Sequence, residues 1–260
     1  MQARLALLVH IPCYFIFVNN LNLYIMQLLL ISNSSMAGQP YLEYPKKEIQ
    51  NFLGEEDLDI LFIPYAAVTF SFDEYERKVN ERFEEIGHKV TSIHHFIDPV
   101  KAVEEADVIV VGGGNTWQLV RAMRDNGLIE AISDKVKGGI PYIGWSAGSN
   151  VACPTIRTTN DMPIVDPKGF DVFNLVPFQI NPHYLDANPD GHAGETRQQR
   201  IEEFIEINPH LYVVGLREGT MLRLNDNKLS LIGAHPARIF IKGKEPVEIQ
   251  PGGDVSFLMG

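Results

Sequence analysis

The hydrophobic pattern of the first half of the chain alternates between short apolar runs and longer stretches with one apolar face. Continuous apolar runs of this length predict buried strands, and they occupy residues 27–31, 58–63, 89–93, 107–111 and 140–145. The stretches between them place apolar residues at helical spacing. Strands that alternate with helices predict an α/β fold, with a mostly parallel sheet covered by helices on both faces.

The clearest helix signal begins at Ser71. Ser71 and Glu74 have the spacing of a capping box, apolar positions follow along one side, and Gly87 is suited to end the helix. Further helices are predicted over residues 98–106, 115–126 and 129–137, and from Thr196 onward, where Gln199 completes a second capping signal. The tail from Met221 alternates between short apolar runs and turns at 225–227 and 243, which predicts C-terminal antiparallel edge strands.

The first 25 residues differ from the rest. Residues 5–18 are nearly all apolar, as in the core of a signal peptide, but no small-x-small cleavage site follows them and the run is too short for a membrane span. We interpret residues 1–25 as an extension that need not be translated, and residues 26–260 as a single domain beginning at Met26. The alternative is export, in which case Asn33 would begin a glycosylation sequon.

Composition narrows the class of protein. The chain is 45% hydrophobic and 21% charged with a net charge of −11, and no block of Lys or Arg stands out. Nucleic acids and membranes are therefore poor partners. Cys13 and Cys153 provide neither a disulfide framework nor a metal-ligand spacing, so we expect a reducing, cytoplasmic location and neither a metal nor an organic cofactor.

The strongest candidate for chemistry is the segment 140–150, which reads IPYIGWSAGSN. Gly144, Ser146 and Gly148 form the G-x-S-x-G pattern of a nucleophile elbow, in which a serine is exposed at a sharp turn between a strand and a helix. The helix N-terminus that follows offers free N–H groups to a developing oxyanion. We therefore predict Ser146 to be a nucleophile.

A serine nucleophile needs a base, and the base needs an orienting acid. His183 is the best base, because it follows a predicted short strand and the Asn-Pro pair 181–182. Two acids compete for the third role. Asp161 lies shortly after the elbow, and Glu218 lies at the end of the predicted strand 211–216. The residues alone leave both alternatives open.

A glycine run at 112–114 follows the predicted strand 107–111. It lacks the Lys-Ser/Thr of a P-loop and does not meet G-x-G-x-x-G, so a phosphate site is not indicated. Backbone N–H groups of Gly114 and Ala147 would suit an oxyanion hole. The alternative is a tight turn between strand and helix, and both descriptions can hold at once.

Five segments stand out together: VGGGNT at 111–116, IGWSAG at 143–148, CPTIRTTNDMPIVDP at 153–167, QINPH at 179–183 and GETR at 194–197. With these segments the chain resembles the peptidase E family, serine peptidases related to cyanophycinase. The resemblance covers residue 26 to the C-terminus. It implies a class I glutamine-amidotransferase-like (flavodoxin-like, three-layer) fold, and cleavage of dipeptides with N-terminal aspartate by Ser146 and His183. It leaves the choice between Asp161 and Glu218 open.

An aspartyl dipeptide carries two carboxylates, so a chain with net charge −11 needs a local cation to bind it. Arg157 is our first candidate, because a guanidinium can hold a carboxylate through two hydrogen bonds. Arg217 and Lys168 are weaker candidates, and a structural role for Arg157 is the alternative. Two other functions remain open: cyanophycinase-like hydrolysis of β-aspartyl-arginine, and a binding protein without turnover. The sequence does not indicate an oligomeric state.

Overall fold

The computed structural model of the chain describes residues 26–188, 191, 193–225 and 228–260. Its main sheet consists of β1 (Leu28–Ile31), β2 (Ile60–Ile63), β3 (Val90–Ser92), β4 (Val108–Val111), β5 (Tyr142–Trp145), β8 (Thr220–Asn225) and β9 (Lys228–Gly233). The spatial order is β3-β2-β4-β5-β1-β8-β9. Strands β3 to β1 in this order are parallel, while β8 and β9 join antiparallel at the β1 edge.

Helices cover both faces of the main sheet. They are α1 (Lys46–Leu53), α2 (Phe72–Phe83), α3 (Pro99–Glu105), α4 (Thr116–Asp125), α5 (Leu128–Lys137) and α6 (Ala147–Asn150). A further helix, α7 (Arg197–Ile207), packs on strands that lie outside this sheet. Leu28 and Leu30 of β1 belong to the core that contains α3, α4 and α5. Leu29 and Ile31 belong to the core that contains α1 and α2. Successive strand residues thus enter different cores, which explains the continuous apolar runs and confirms the predicted α/β fold.

A second sheet follows the elbow in the chain. It consists of β6 (Gln179–Tyr184), β7 (Val213–Arg217), β10 (Ala237–Phe240) and β11 (Val247–Ile249), in the order β11-β10-β7-β6. Strands β6 and β7 are parallel, and β10 and β11 are antiparallel to their neighbours. The predicted antiparallel tail strands are therefore present, divided between the two sheets.

The two sheets meet where β1, β6 and β7 end. The chain leaves β7, passes through Glu218 and Gly219 (φ 77°), and enters β8 of the main sheet. Ser32, directly after β1, donates a hydrogen bond from its hydroxyl to Leu216 O at 2.7 Å and accepts one from the His183 backbone N–H at 3.0 Å. This junction brings the end of β6 beside the end of β1.

The structure differs from the sequence-based expectations in local details. Helix α1 was not predicted, and β6 continues through His183 rather than ending before it. The reciprocal capping box is present at Thr196 and Gln199, whereas at α2 the Ser71 hydroxyl accepts from the Glu74 N–H. The extension 1–25 and part of the predicted turn at 225–227 lie outside the described residues, so the domain boundary at Met26 stays a prediction. Among the described helices, none has the length and apolar character needed to cross a membrane.

Candidate active site

Ser146 lies in the sharp turn between β5 and α6. Its backbone has φ 53° and ψ −109°, a conformation that residues other than glycine rarely adopt. The Ser146 N–H donates to Ile31 O at 3.0 Å, and the Ser146 carbonyl accepts from the N–H groups of Ser149 and Asn150 at 3.0 Å each. The turn therefore has the geometry of a nucleophile elbow, with the strain offset by backbone hydrogen bonds on both sides.

His183 reaches Ser146 from the second sheet. The pairing of β6 with β7 shifts register between Pro182 and Tyr184, and His183 at this irregularity has φ 53°. Such a bulge redirects one side chain of a strand. The His183 Nε2 lies 2.9 Å from Ser146 Oγ.

Glu218 is the carboxylate that contacts the histidine. Its Oε1 lies 2.7 Å from His183 Nδ1. When Nδ1–H donates to Glu218, the lone pair of Nε2 is free to accept the Ser146 hydroxyl proton. The His183 and Glu218 side chains are 39% and 47% exposed, so the three groups line an open surface that a small peptide can reach.

Asp161 has other partners. Its Oδ2 accepts hydrogen bonds from Thr116 N at 2.8 Å, Thr116 Oγ1 at 2.5 Å and Thr159 Oγ1 at 3.1 Å. Thr116 is the first residue of α4, so the carboxylate interacts with the positive end of a helix. Within the described residues no hydrogen bond joins Asp161 to His183. The structure thus brings Ser146, His183 and Glu218 together and leaves Asp161 outside this group.

The glycine loop after β4 lies against the elbow. A Cβ on Gly113 would lie 3.0 Å from Ser146 Cβ, and one on Gly114 (φ 132°) would lie 2.3 Å from Ala66 O, so neither position has room for a side chain. The Tyr75 hydroxyl donates to Gly113 O at 2.9 Å. Because a trans peptide directs its C=O and N–H oppositely, this bond turns the Gly114 N–H away from Tyr75.

Backbone donors beside the nucleophile lack acceptors among the described residues. The N–H groups of Gly114 and of Ala147, the first residue of α6, have no acceptor among the described residues. Unpaired donors beside a nucleophile are what an oxyanion hole requires. Tyr75 itself is buried, and burial raises the pKa of its hydroxyl to about 12, so it stays a neutral donor at physiological pH.

The cations predicted from the sequence lie elsewhere. The Arg157 side chain is exposed, and its guanidinium lies 5.1 Å from the centre of the Phe170 ring. Arg217 pairs with Asp186 and Glu248, and Lys168 pairs with Asp125 at 2.6 Å. Among the described residues, the Arg157 side chain makes no hydrogen bond to a member of the candidate site.

Arg197 is a cation that the sequence reasoning missed. Its Nη1 donates to Asn160 Oδ1 at 2.6 Å, and Asn160 Nδ2 donates to Pro182 O at 2.7 Å, directly before His183. Within the described part of the chain, no carboxylate lies within salt-bridge distance of Arg197. Partial burial lowers the Arg197 pKa, Arg200 adds to this effect and Asp161 opposes it. The signal available in the sequence was the N-cap at Thr196, which fixes Arg197 in the first turn of α7.

The chain matches known peptidases over most of its length. The model of Peptidase family S51 matches residues 28–232. Peptidase E of Nostoc sp. is 49% identical over 233 residues, which cover 90% of this chain and 96% of that protein. Peptidase E of Salmonella typhimurium is 48% identical over 227 residues, which cover 87% of this chain and 99% of that protein.

Solved structures share the fold at lower identity. A crystal structure of a peptidase from an acI-B1 Actinobacterium has a TM-score of 0.65 at 17% identity, covering 90% of this chain and 97% of that one. A putative peptidase E protein from Listeria monocytogenes has a TM-score of 0.56 at 23% identity, covering 87% and 98%. At these identities the likeness concerns the fold alone.

Proposed function

The chain belongs to peptidase family S51 and is a serine-type dipeptidase, and from this premise we propose that it hydrolyses dipeptides with N-terminal aspartate through an acyl-enzyme. The observation that supports this most directly is the continuous hydrogen-bonded series Ser146–His183–Glu218, with distances of 2.9 and 2.7 Å. We assign these residues the roles of nucleophile, base and orienting acid.

The reaction follows from that geometry. Ser146 Oγ attacks the carbonyl carbon of the scissile bond while His183 Nε2 takes the hydroxyl proton. The Glu218 carboxylate stabilises the imidazolium that forms. When the tetrahedral intermediate collapses, His183 Nε2 gives the proton to the leaving amine. Water then attacks the acyl-enzyme by the same route and releases aspartate. These steps use the side chains of the three residues, backbone N–H groups and water.

We propose that the Gly114 and Ala147 N–H groups bind the oxyanion. Both donors lack acceptors within the described residues, so they can bind the developing charge without first breaking a protein hydrogen bond. The Tyr75 bond to Gly113 O holds the glycine loop in place before substrate binds. The helix dipole of the single-turn α6 adds little, because the helix is short.

We propose Arg197, in place of Arg157, as the group that binds the aspartyl carboxylate. Arg197 is half-buried, has no carboxylate partner among the described residues, and is linked through Asn160 to the strand that carries His183. A partly desolvated guanidinium has a larger electrostatic effect on a ligand than an exposed one. Arg157 remains suited to a structural role, since its guanidinium stacks on Phe170.

One set of substrates separates the competing functions. Purified protein is expected to hydrolyse Asp-Leu and to leave β-Asp-Arg and Leu-Leu intact, and a serine-directed phosphonate is expected to label it. Ser146→Ala is the matched control, which should lose both turnover and labelling. Preferred cleavage of β-Asp-Arg would indicate a cyanophycinase-like activity. Absence of both hydrolysis and labelling would indicate a binding protein and would overturn the proposal.

We also propose that the protein acts in the cytoplasm, on small peptides rather than on nucleic acid or at a membrane. A net charge of −11 without a basic cluster disfavours binding to polyanions. Cys153 is a buried free thiol whose pKa burial raises to about 12, so it stays protonated at physiological pH.

A further inference from the structure

A cluster of two histidines and two carboxylates lies outside the candidate active site, where α2 passes the turn that follows β3. Asp73 and Glu76 come from the first turns of α2, and His94 and His95 from the short 3-10 turn at residues 93–95. Each of the four offers one ligand atom, and these atoms all lie within 4.8 Å of one another. We propose that they form a binding site for a divalent transition metal of the zinc type.

The distances suit such an ion after small side-chain adjustments. His94 Nε2 lies 2.8 Å from Asp73 Oδ1, and His95 Nε2 lies 2.7 Å from Glu76 Oε2. Four ligands at zinc distances around a tetrahedral ion are about 3.4 Å apart. The two His–carboxylate contacts, at 2.8 and 2.7 Å, are shorter than this, and the longest separation among the four ligand atoms is up to 4.8 Å. Rotation of the side chains can supply the shifts that an ion between the two pairs requires.

The donor set matches the same class of metal. Imidazole nitrogen and carboxylate oxygen together suit zinc and its neighbours, whereas calcium and magnesium prefer oxygen ligands alone. Within the described residues the salt-bridge partners of Asp73 and Glu76 are these two histidines, and neither carboxylate pairs with Lys or Arg. The two negative charges are therefore not already neutralised by a neighbouring cation.

Ser92, which is buried, contacts two of the four ligands, Glu76 and His94. The Ser92 N–H donates to Glu76 Oε1 at 2.8 Å, and Ser92 Oγ lies 2.7 Å from His94 Nδ1. Ser92 Oγ can accept the proton of Nδ1, which leaves the Nε2 lone pair of His94 for the metal. Outer contacts of this kind fix the tautomer and the ring orientation of metal-binding histidines. The site is therefore supported by the core and does not depend on four independent surface side chains.

The spacing explains why the sequence analysis gave no metal signal. Asp73 and Glu76 are three residues apart on one face of a helix, and His94 and His95 are adjacent, so the set matches no familiar metal motif. Only the packing of α2 against β3 brings the two pairs together. The ion would link these elements and stabilise the folded state without touching Ser146, His183 or Glu218.

Calorimetric titration of chelator-treated full-length protein with zinc chloride tests the proposal. We expect one high-affinity site, a rise in Tm with excess zinc, and a tetrahedral cobalt absorption band when cobalt replaces zinc. His95→Ala and Asp73→Asn, at exposed positions, should each weaken zinc binding about tenfold or more while Asp-Leu turnover is retained. His210→Ala, an exposed histidine elsewhere, is the matched control and should bind as the parent does.

Two results would overturn the assignment. One is the absence of zinc binding by the folded parent protein. The other is undiminished affinity in the His94→Ala/His95→Ala double variant, which would place the ion on other residues. Circular dichroism of each variant without metal distinguishes a lost ligand from a lost fold.

Discussion

The two carboxylates that compete for the role of orienting acid have different surroundings. Glu218 follows β7, is 47% exposed, and contacts His183 Nδ1 at 2.7 Å. Asp161 accepts hydrogen bonds from Thr116, the first residue of α4, and from Thr159, two residues before Asp161 in the chain. Glu218 Oε1 contacts the imidazole of His183. Asp161 Oδ2 instead accepts three hydrogen bonds from threonine residues that hold the local structure.

The difference indicates a division of labour. We infer that Glu218 supports proton transfer, whereas Asp161 holds the start of α4 in place and its neighbour Asn160 holds the cation Arg197. A carboxylate close in sequence to a nucleophile is therefore not automatically its partner. Here the carboxylate that contacts the histidine is Glu218, which follows β7, the strand that pairs with the histidine's own strand.

The largest expected effect separates the two acids kinetically. Glu218→Gln should lower kcat for Asp-Leu about 10²–10⁴-fold with little change in KM, because the imidazolium loses its orienting charge. Asp161→Asn should lower kcat less than about tenfold, because it makes no contact with the ring. Steady-state kinetics of both variants provides the measurement. The reverse ranking would assign the acid role to Asp161.

The next effect concerns Arg197, the cation that donates a hydrogen bond to Asn160. Arg197→Gln should raise KM for Asp-Leu about 10–100-fold, since a partly buried charge-assisted contact to the aspartyl carboxylate is lost. Arg157→Gln is the matched control and should change KM less than about twofold, because its side chain is exposed. An Asn-Leu substrate should narrow the gap between parent and Arg197→Gln. Equal KM values for parent and Arg197→Gln would rule out this contact.

Much of this arrangement could be read from local sequence. Continuous apolar runs predicted the strands of the main sheet, and the elbow motif placed Ser146 at a strand end. His183 was recognisable because it follows a short apolar run, and Glu218 because it follows a predicted strand, although β6 in fact continues through His183. Each of these signals depends on a few neighbouring residues, so tertiary packing did not change them.

Other features depend on contacts between distant segments. The positive φ of His183 belongs to a bulge whose register is set by β7, more than 20 residues later in the chain. Thr116, which makes two hydrogen bonds to Asp161, begins α4 and lies 45 residues earlier in the chain. Arg197 becomes a candidate only because Asn160 connects it to β6. No local pattern specifies which distant group a loop side chain will meet.

Stability should rank the two acids in the opposite order from catalysis. Asp161→Asn should lower the free energy of unfolding by about 1–2 kcal/mol, because a charged acceptor is removed from the N-terminus of α4. Glu218→Gln should change it by less than about 0.5 kcal/mol, since its partner is half-exposed. Urea unfolding of both variants measures the difference. Equal losses would mean that Asp161 is not a structural anchor.

The smallest expected effect tests how His183 is held in position. Ser32 is buried and bridges His183 N and Leu216 O, so it fixes the bulge that directs the imidazole toward Ser146. Ser32→Ala should lower kcat about 3–10-fold with KM unchanged, which corresponds to about 0.6–1.4 kcal/mol in the barrier.

Kinetics of Ser32→Ala well below its Tm separates misplacement of His183 from loss of folded protein. Ser35→Ala, three residues later and exposed, supplies the same chemical change without the bridge and should behave like the parent. If Ser32→Ala retained full kcat while its Tm fell, the hydroxyl would stabilise the junction of the two sheets without positioning the base. A fall in kcat at unchanged KM would instead show that the main sheet helps to aim a histidine carried by the second sheet.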